Sequence, residues 1–323
     1  MEEIRVGRND SGQRLDKFLK KYLDGVPAGL VYKMLRKKMV KLNNQRVHPS
    51  HILTEGDAIQ IYAQLDNARR PRSGATVPET SVDFKVVYED ENIVVVDKPA
   101  GLLSHPDKQN QESLVDQVIF YLYAKGEYSP EREQTFAPAL CNRLDRNTGG
   151  LVIAAKNLKA LQEMNHMIKE KWVGKYYKSV VKGIISRDGS MEGFLKKEET
   201  TNTVKVYNHN VEGSKRIHTV YRPLDISDLG FTLLEIKLVT GRPHQIRAHL
   251  AYSGHPIVGD AKYGDADVNK QLRDRYGLKR QFLYADKLVF ERATPLFDYL
   301  EGKEIVTTLP ENLSRMEYEL FNS

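Results

Sequence analysis

One short segment, residues 142–155, constrains this chain more than any other part of its 323-residue sequence. It places Asp145 between two arginines, and a pair of glycines and the apolar run Leu151–Ala155 follow. A short apolar run beside glycines is typical of a buried strand. The segment therefore predicts an ionised, accessible aspartate, held in a loop at the entrance to a buried strand.

Such an aspartate is a candidate nucleophile. A carboxylate has an ordinary pKa of about 3.9, and neighbouring cations lower it, so it needs no activating base at neutral pH. Carboxylate nucleophiles form covalent adducts with electrophilic carbon. An aspartate between two arginines is, however, also a common structural ion pair. The segment alone leaves both interpretations open, and the surrounding sequence has to separate them.

The surrounding motifs resemble those of the RluA-type pseudouridine synthases. The family's catalytic motif, His-Arg-Leu-Asp-x-x-Thr-Ser-Gly, aligns with residues 142–150, where Asn142 replaces histidine and Gly149 replaces serine. Neither departure falls on the nucleophile. Further matches occur in the family's order and cover nearly all of residues 81–264: Lys98–Gly101 with His105 and Pro106, Lys175–Gly183, Thr240–His249 and Gly254–Gly264.

The resemblance implies an isomerase that converts selected uridines of RNA to pseudouridine. Asp145 attacks the ribose or the uracil ring, the glycosidic bond breaks, and the base turns and rejoins through carbon 5. Arg247 holds the position of the aspartate's basic partner. Tyr177 holds the position of the ring that stacks on the extruded base, and its hydroxyl can serve proton transfer. The residues implied to contact the substrate are Lys98, Arg143, Leu144, Thr148 and His244.

Several of these residues also have structural interpretations. Arginine prefers bidentate anion recognition, so Arg247 can be a phosphate clamp or a structural donor. Strand tyrosines are mostly core residues, and Tyr176 adjoins Tyr177. Lys98 and Arg143 fit a structural role as well as a substrate contact.

The segment Thr240–Pro243 predicts a helix start directly after a strand that ends at Val239. Thr240 is the expected cap and Pro243 the expected first helical residue. This start places His244 and Arg247 one turn apart on one helix face.

The sequence predicts neither a metal nor a cofactor. The five-residue step from His244 to His249 differs from the four-residue step of helical zinc pairs. His255 does not provide that four-residue spacing either. Neither a Gly-x4-Gly-Lys loop nor a Gly-x-Gly-x-x-Gly turn is present.

Residues 1–62 predict a separate unit that binds RNA. They contain twelve lysines or arginines against seven acidic residues, and so carry five of the chain's six net positive charges. Apolar spacing predicts helices over 15–23 and 30–35, followed by a hairpin with strands at Val40–Leu42 and Arg46–His48 and a further strand at Ala58–Tyr62. This order resembles the RNA-binding domain named after ribosomal protein S-four. The expected phosphate contacts are Lys33, Arg36, Lys37 and Lys38.

The rest of the chain predicts a larger α+β domain. No alternating βαβα order is present, so we expect a mixed, largely antiparallel sheet, as the resemblance also implies. The predicted division is 1–66 for the RNA-binding domain, 67–80 for a linker and 81–323 for the catalytic domain. Helices are expected at Ser113–Tyr123 and Asn157–Lys171, and strands at Phe84–Tyr88, Ile93–Val96, Tyr177–Val181, Val204–Tyr207, His218–Pro223 and Phe231–Val239.

Composition further limits the expected location and binding partners of the protein. No apolar run approaches the roughly 18 residues of a membrane span. Cys141 is the only cysteine, which excludes an internal disulfide and a thiolate zinc cage, and it is expected to be a small buried hydrophobe. The net charge of +6 favours a polyanionic partner. We therefore expect a cytoplasmic monomer that binds RNA and no membrane.

Among the RluA-type pseudouridine synthases, the motifs look most like those of members that modify large-subunit (23S) ribosomal RNA. That RNA is the predicted substrate. A transfer RNA synthase is the closest rival. A non-catalytic RNA-binding protein would not need Asp145, Tyr177 and Arg247 together. A glycosidase would need a second cooperating carboxylate, and no motif supplies one.

Overall fold

The computed structural model describes residues 1–23, 25–62, 77, 79–107, 109, 111–130, 133–198, 201 and 203–322. Two β-sheets organise this part of the chain, a four-stranded sheet within residues 2–61 and an eleven-stranded sheet within residues 85–306. Among the described strands, only one neighbouring pair is parallel. The predicted α+β class with a mixed, largely antiparallel sheet is confirmed.

The N-terminal unit packs two helices against a small antiparallel sheet. Its strands follow the order β1-β4-β2-β3. Asn43 and Asn44, both at positive φ (50° and 64°), form the turn between β2 and β3, as asparagine tolerates left-handed backbone. The elements are β1 (Glu2–Arg5), α1 (Leu15–Tyr22), α2 (Ala28–Arg36), β2 (Val40–Leu42), β3 (Gln45–Arg46) and β4 (Ala58–Ile61).

The large sheet has the strand order β11-β10-β12-β13-β9-β14-β8-β6-β5, with β7 paired to β8 and β15 to β14. Its strands are β5 (Lys85–Glu89), β6 (Ile93–Lys98), β7 (Ala139–Leu140), β8 (Gly149–Ala155), β9 (Val173–Lys182), β10 (Gly189–Glu198), β11 (Thr203–Tyr207), β12 (Lys215–Ser227), β13 (Phe231–Leu238), β14 (Leu283–Phe290) and β15 (Glu304–Val306). The helices around it are α3 (Leu114–Ala124), α4 (Leu158–Lys169), α5 (Gln245–Tyr252), α6 (Ala266–Tyr276), a 3-10 helix (Pro295–Leu300) and α7 (Glu311–Phe321).

Strands β6 and β8 form the centre of the core. The side chains of Ile93–Val96 and Leu151–Ala155 are completely buried, because alternate residues pack against α3 on one face and α4 on the other. Side-chain caps fix both helix starts: Asp116 accepts from the Ser113 backbone at 3.1 Å, and Asn157 accepts from the Ala160 backbone at 2.8 Å. Strand β6 is therefore buried on both faces, and the strand expected at Ile93–Val96 is present.

Buried hydrogen bonds connect the N-terminal unit to the larger one. Asp10, only 1% exposed, accepts from the Thr135 hydroxyl at 2.7 Å and from its backbone N–H at 3.1 Å. Gln13 donates to the same hydroxyl at 2.9 Å, and Asn9 donates to Glu133 at 2.7 Å. Burial raises the pKa of the Asp10 carboxyl, which the Thr135 hydrogen bonds partly offset.

The helices and strands expected from the sequence are present, with differences at their ends. Strand β9 begins at Val173, four residues before the predicted start, and β3 ends at Arg46. The sequence missed β1, β7, β10, β14, β15, α6, the 3-10 helix and α7. Most of the predicted linker 67–80 lies outside the described residues, so the domain boundaries stay a prediction. Across the described part of the chain, no helix is long and apolar enough to cross a membrane.

Candidate active site

Asp145 lies in the tight loop between β7 and β8. The Thr148 backbone N–H donates to the Asp145 carbonyl at 3.0 Å and closes the loop. Ser104, which is buried, donates its hydroxyl to the Leu144 carbonyl at 2.8 Å and accepts from the Leu144 N–H at 3.1 Å. Both bonds fix the backbone beside the aspartate. The Asp145 side chain itself is 23% exposed, so the carboxylate is accessible and firmly held.

The two glycines after this loop are required by close backbone contact. A Cβ at Gly150, where φ is +113°, would lie 2.2 Å from the Ala285 carbonyl oxygen. A Cβ at Gly149 would lie 2.6 Å from the ring of Tyr284. The Tyr284 hydroxyl donates to Asp97 at 2.6 Å, which holds the ring in place. Tyr284 therefore explains why Gly149 replaces the serine of the family motif.

Lys98 lies beneath the loop and not on the wall of the cleft. Its side chain is completely buried, and its ammonium donates to the carbonyls of Pro99 (3.0 Å), Leu102 (2.9 Å) and Arg146 (3.2 Å). Burial lowers its pKa to about 7, while the charge of Asp145 opposes that shift. Three carbonyl acceptors favour the ammonium form. This geometry ties the loop of Asp145 to the end of β6.

Arg247 reaches Asp145 from α5 and is held by a second carboxylate. Its Nη1 donates to Asp145 Oδ2 at 3.0 Å. Its Nε and Nη2 donate to the two oxygens of Asp260 at 2.6 and 2.9 Å. Burial opposes the charge of Arg247, but the hydrogen bonds and charge of Asp260 outweigh burial and raise the arginine pKa. One N–H of a fixed guanidinium is thus aimed at the Asp145 carboxylate.

Asp260 is the most important residue that the sequence did not single out. Its side chain is fully buried, and burial alone would raise its pKa, but Arg247 lowers it. The backbone N–H groups of Lys262 and Tyr263 also donate to Asp260, at 2.9 and 3.1 Å. In the sequence, Gly259–Tyr263 is only a part of the segment Gly254–Gly264 that matches the family. The ion pair joins Arg247 and Asp260, which are thirteen residues apart, across the end of a helix. No local sequence spacing specifies such a pair.

The predicted start of α5 is wrong. The helix begins at Gln245, and His244 precedes it in a left-handed conformation with φ of 54°. Thr240 is not the cap, since its hydroxyl donates to the Gln245 side chain at 2.8 Å, and Pro243 lies outside the helix. The Gln245 side chain also donates to the His218 carbonyl and the Thr219 hydroxyl. Those tertiary bonds, which override the local capping pattern, set the start.

His244 nevertheless enters the cleft. Its Nδ1 lies 2.9 Å from the Tyr263 hydroxyl, and burial lowers the pKa of the imidazole. The Tyr263 ring also lies beneath Arg247, with the guanidinium carbon 5.2 Å from the ring centroid. His249 instead contacts Thr219 and His255 contacts the Lys182 carbonyl, so the three histidines have separate surroundings.

Tyr177 lies on β9 with its ring at the cleft and is only 5% exposed. Burial and the negative charge of Asp145 raise the pKa of its hydroxyl, so the phenol keeps its proton at neutral pH. Tyr176 points to the opposite face of the strand, where Lys237 and Lys287 lie over its ring. The structure therefore distinguishes the two neighbouring tyrosines.

The cleft itself is open and has a volume of about 510 Å³. Lys175, two residues before Tyr177 on the same face of β9, adds a cation to its wall, and burial lowers the pKa of this lysine. The sequence motifs did not identify Lys175 individually as a site residue. The predicted site residues that line the cleft are Arg143, Leu144, Asp145, Thr148, Tyr177, His244 and Arg247.

Two further residues at this loop, Cys141 and Asn142, also line the cleft. The Asn142 side chain accepts from the Ile153 N–H at 2.8 Å and donates to the Leu151 carbonyl at 3.4 Å, so it pairs with β8. Burial raises the pKa of the Cys141 thiol to about 12. A thiol with that pKa carries almost no thiolate at neutral pH.

The four predicted RNA-contacting cations lie in the N-terminal unit. Lys33 and Arg36 are exposed on the last turns of α2, and Lys37 and Lys38 follow it, also exposed. A groove beside them is lined by Tyr32, Leu35, Arg36, Arg46, Val47, His48 and Pro49. Basic and aromatic side chains therefore share one face of this unit.

Comparison with known proteins agrees with this geometry. Residues 92–252 match the family model described as RNA pseudouridylate synthase. The ribosomal large subunit pseudouridine synthase C of Haemophilus influenzae is 32% identical over 293 residues, which cover 89% of this chain and 86% of the relative. The protein of the same name from Escherichia coli K12 is 32% identical over 294 residues, which cover 89% and 88%.

A solved structure supports the fold. Human RNA Pseudouridylate Synthase Domain Containing 4 superposes with a TM-score of 0.57 at 21% identity, over 73% of this chain and 92% of that chain. The family model and the curated relatives identify the class of protein as an RNA-modifying isomerase. With relatives of this identity and coverage, the chain belongs to the RNA pseudouridylate synthase family. The predicted family and enzyme class are confirmed.

Proposed function

We propose that this enzyme isomerises specific uridines of large-subunit ribosomal RNA through Asp145, with Arg247 and Tyr177 as its partners. The observation that carries the proposal is the 3.0 Å contact between Arg247 and Asp145 in a cleft that Tyr177 lines. The relatives named above act on the large ribosomal subunit by their names. We further propose that the protein works as a cytoplasmic monomer, with domains at 1–66 and 81–323.

Asp145 fits the nucleophile because Arg247 occupies only one of its two oxygens. The contact involves Oδ2, while Asp260 occupies the other donors of the guanidinium. Oδ1 of Asp145 therefore stays available for attack. In the net reaction the bond from ribose C1′ to uracil N1 breaks and a bond from C1′ to C5 forms, while the proton on C5 leaves and N1 gains one. No redox step occurs.

The other cleft residues hold the target base and the loop. Leu144 and Thr148 are buried at the two ends of the Asp145 loop, and Arg143 and His244 lie at the cleft wall, within reach of substrate. Lys98 serves as a positioning residue, since all of its donors bind backbone carbonyls. The target base has to leave its helix to reach this cleft, which costs a few kcal/mol and favours loops and weakly paired sites.

Tyr177→Phe should preserve base stacking but lower turnover by about 10²-fold to 10⁴-fold, because the proton-transferring hydroxyl is lost. Tyr177→Ala should in addition weaken binding by about 1–3 kcal/mol, the typical value of one stacked base. Steady-state kinetics on a stem-loop substrate measure both effects. Tyr176→Phe, on the opposite face, is the matched control. Equal losses in binding for the Phe and Ala variants would show that the ring does not stack.

Neutralising Lys33, Arg36, Lys37 and Lys38 with glutamine should weaken binding of a long ribosomal RNA fragment. Each lost phosphate contact on duplex should also remove about 0.9 from the slope of log affinity against log salt. Turnover of a short stem-loop at saturating concentration should stay unchanged, because the cleft is untouched. Affinity equal to wild type at several salt concentrations would contradict RNA docking through this face.

The proposed substrate is tested by mapping pseudouridine in total RNA from a strain that lacks the gene. Loss of specific pseudouridines from 23S ribosomal RNA, restored by the wild-type gene and not by an Asp145→Asn gene, is expected. Loss confined to transfer RNA would support the rival transfer RNA synthase instead.

A further inference from the structure

Two exposed arginines, Arg146 and Arg280, converge on Gly101 beside the loop of the nucleophile. We propose that they form a phosphate clamp that binds the RNA backbone next to the flipped uridine. The inference rests on the proposed function, because it concerns how the RNA strand that carries the target uridine is held at the cleft. Neither arginine lines the cleft, so their ligand is the backbone outside it and not the base.

Arg146 is anchored to Gly101 by a reciprocal pair of hydrogen bonds. Its Nε donates to the Gly101 carbonyl at 3.1 Å, and the Gly101 N–H donates to the Arg146 carbonyl at 2.7 Å. The side chain is thereby held while its two terminal amino groups stay free to bind. Such a held guanidinium fork matches the oxygens of a phosphate.

Arg280 packs over the same glycine from the other side. A Cβ at Gly101, where φ is +110°, would lie 2.8 Å from Nη2 of Arg280. The Arg280 guanidinium therefore lies directly against Gly101, whose positive φ favours glycine. The next residue, Gln281, donates to the Thr148 hydroxyl at 3.2 Å. The segment that carries Arg280 is thus tied to the loop that carries Asp145.

The charge of this pair is not neutralised within the structure. Neither arginine has a carboxylate within 4.0 Å among the residues that the structure describes, and both side chains are exposed. Burial is the main cause of the lowered pKa of Lys98, and the positive charge of Arg280 lowers it further. The charge of Arg280 therefore also acts on the buried lysine beneath the loop. Two like charges at one glycine favour an anion between them. Arg146 directly follows Asp145 in the chain, so that anion would lie beside the nucleophile.

The clamp is tested with Arg146→Gln, Arg280→Gln and the double variant, in the full chain. Arg187→Gln is the matched control, because Arg187 is exposed, lies between β9 and β10, and has no carboxylate partner in the described residues. Fluorescence anisotropy with a uridine stem-loop at several salt concentrations measures affinity. Each substitution should reduce the salt slope by about 0.7 for a single-stranded contact, with the control unchanged.

A modified RNA locates the contact. Replacing the charged linkages beside the target uridine by neutral methylphosphonates should weaken wild-type binding and leave binding by the double variant unchanged. Turnover of the double variant at saturating RNA should stay within about threefold of wild type, because a backbone contact made equally in ground and transition states affects only binding. Thermal unfolding of each variant verifies folding.

An unchanged salt slope in both single variants would overturn the clamp. So would equal sensitivity of wild type and double variant to the neutral linkages, or a loss confined to saturating turnover, which would show that the arginines only position the Asp145 loop. Because anisotropy needs no turnover, a wild-type enzyme that binds this RNA without isomerising uridine would instead contradict the proposed function.

Discussion

Asp145→Asn should abolish uridine isomerisation, with turnover reduced by about 10⁴-fold or more, because an amide keeps the shape of the side chain but is no charged nucleophile. RNA affinity should stay within about tenfold, since the proposed phosphate contacts are made by other residues. The amide oxygen can still accept from Arg247, so the fold should be retained. Release of tritium from RNA that contains uridine labelled at carbon 5 measures turnover directly.

The matched control for this result is Asp188→Asn, an exposed aspartate in the loop between β9 and β10. It should keep full activity. Mass spectrometry of the Asp145→Asn protein has to exclude deamidation, which would regenerate the aspartate. Residual turnover in protein proven free of aspartate would refute the mechanism.

Arg247→Met should lose both stability and turnover. Removing the guanidinium leaves Asp260 as an unpaired carboxylate with a fully buried side chain, which should lower the free energy of unfolding by about 3–5 kcal/mol. Turnover should fall by about 10²-fold to 10³-fold, because Asp145 loses the donor at 3.0 Å that holds it. Chemical unfolding and tritium release give the two quantities separately.

A second substitution separates these two losses. Adding Asp260→Asn to Arg247→Met removes the orphaned charge and should recover a large part of the unfolding free energy. Turnover should remain low, since the donor to Asp145 is still missing. Recovery of turnover together with stability would show that Arg247 acts only by holding the fold.

The sequence could predict the parts of this site that local patterns specify. The loop of Asp145 was visible because a charged segment, two glycines and an apolar run follow one another within fourteen residues. Strand β6 could be predicted because a short run of four aliphatic residues is typical of a buried strand. The position of Tyr177 came from family resemblance and not from periodicity.

Tertiary contacts determined what the sequence could not predict. The start of α5 depends on bonds from Gln245 to His218 and Thr219, more than 25 residues away. Strand β14 contains Asp286 and Lys287 between apolar residues, so its pattern is weak. No local pattern marks Asp260, since its contacts are with a guanidinium that only the folded chain brings to it.

The order of strands in the large sheet also makes the site depend on a strand that is synthesised late. Strand β14 lies between β9, which carries Tyr177, and β8, which follows the Asp145 loop. Tyr284 and Ala285 pair in parallel with the two glycines of that loop. A nascent chain that has not yet released residues 283–290 from the ribosome therefore has its aspartate and its ring on two strands that still lack the strand between them. Since proteins are made from the N-terminus onward, the N-terminal unit can emerge and meet RNA well before the cleft can act on it.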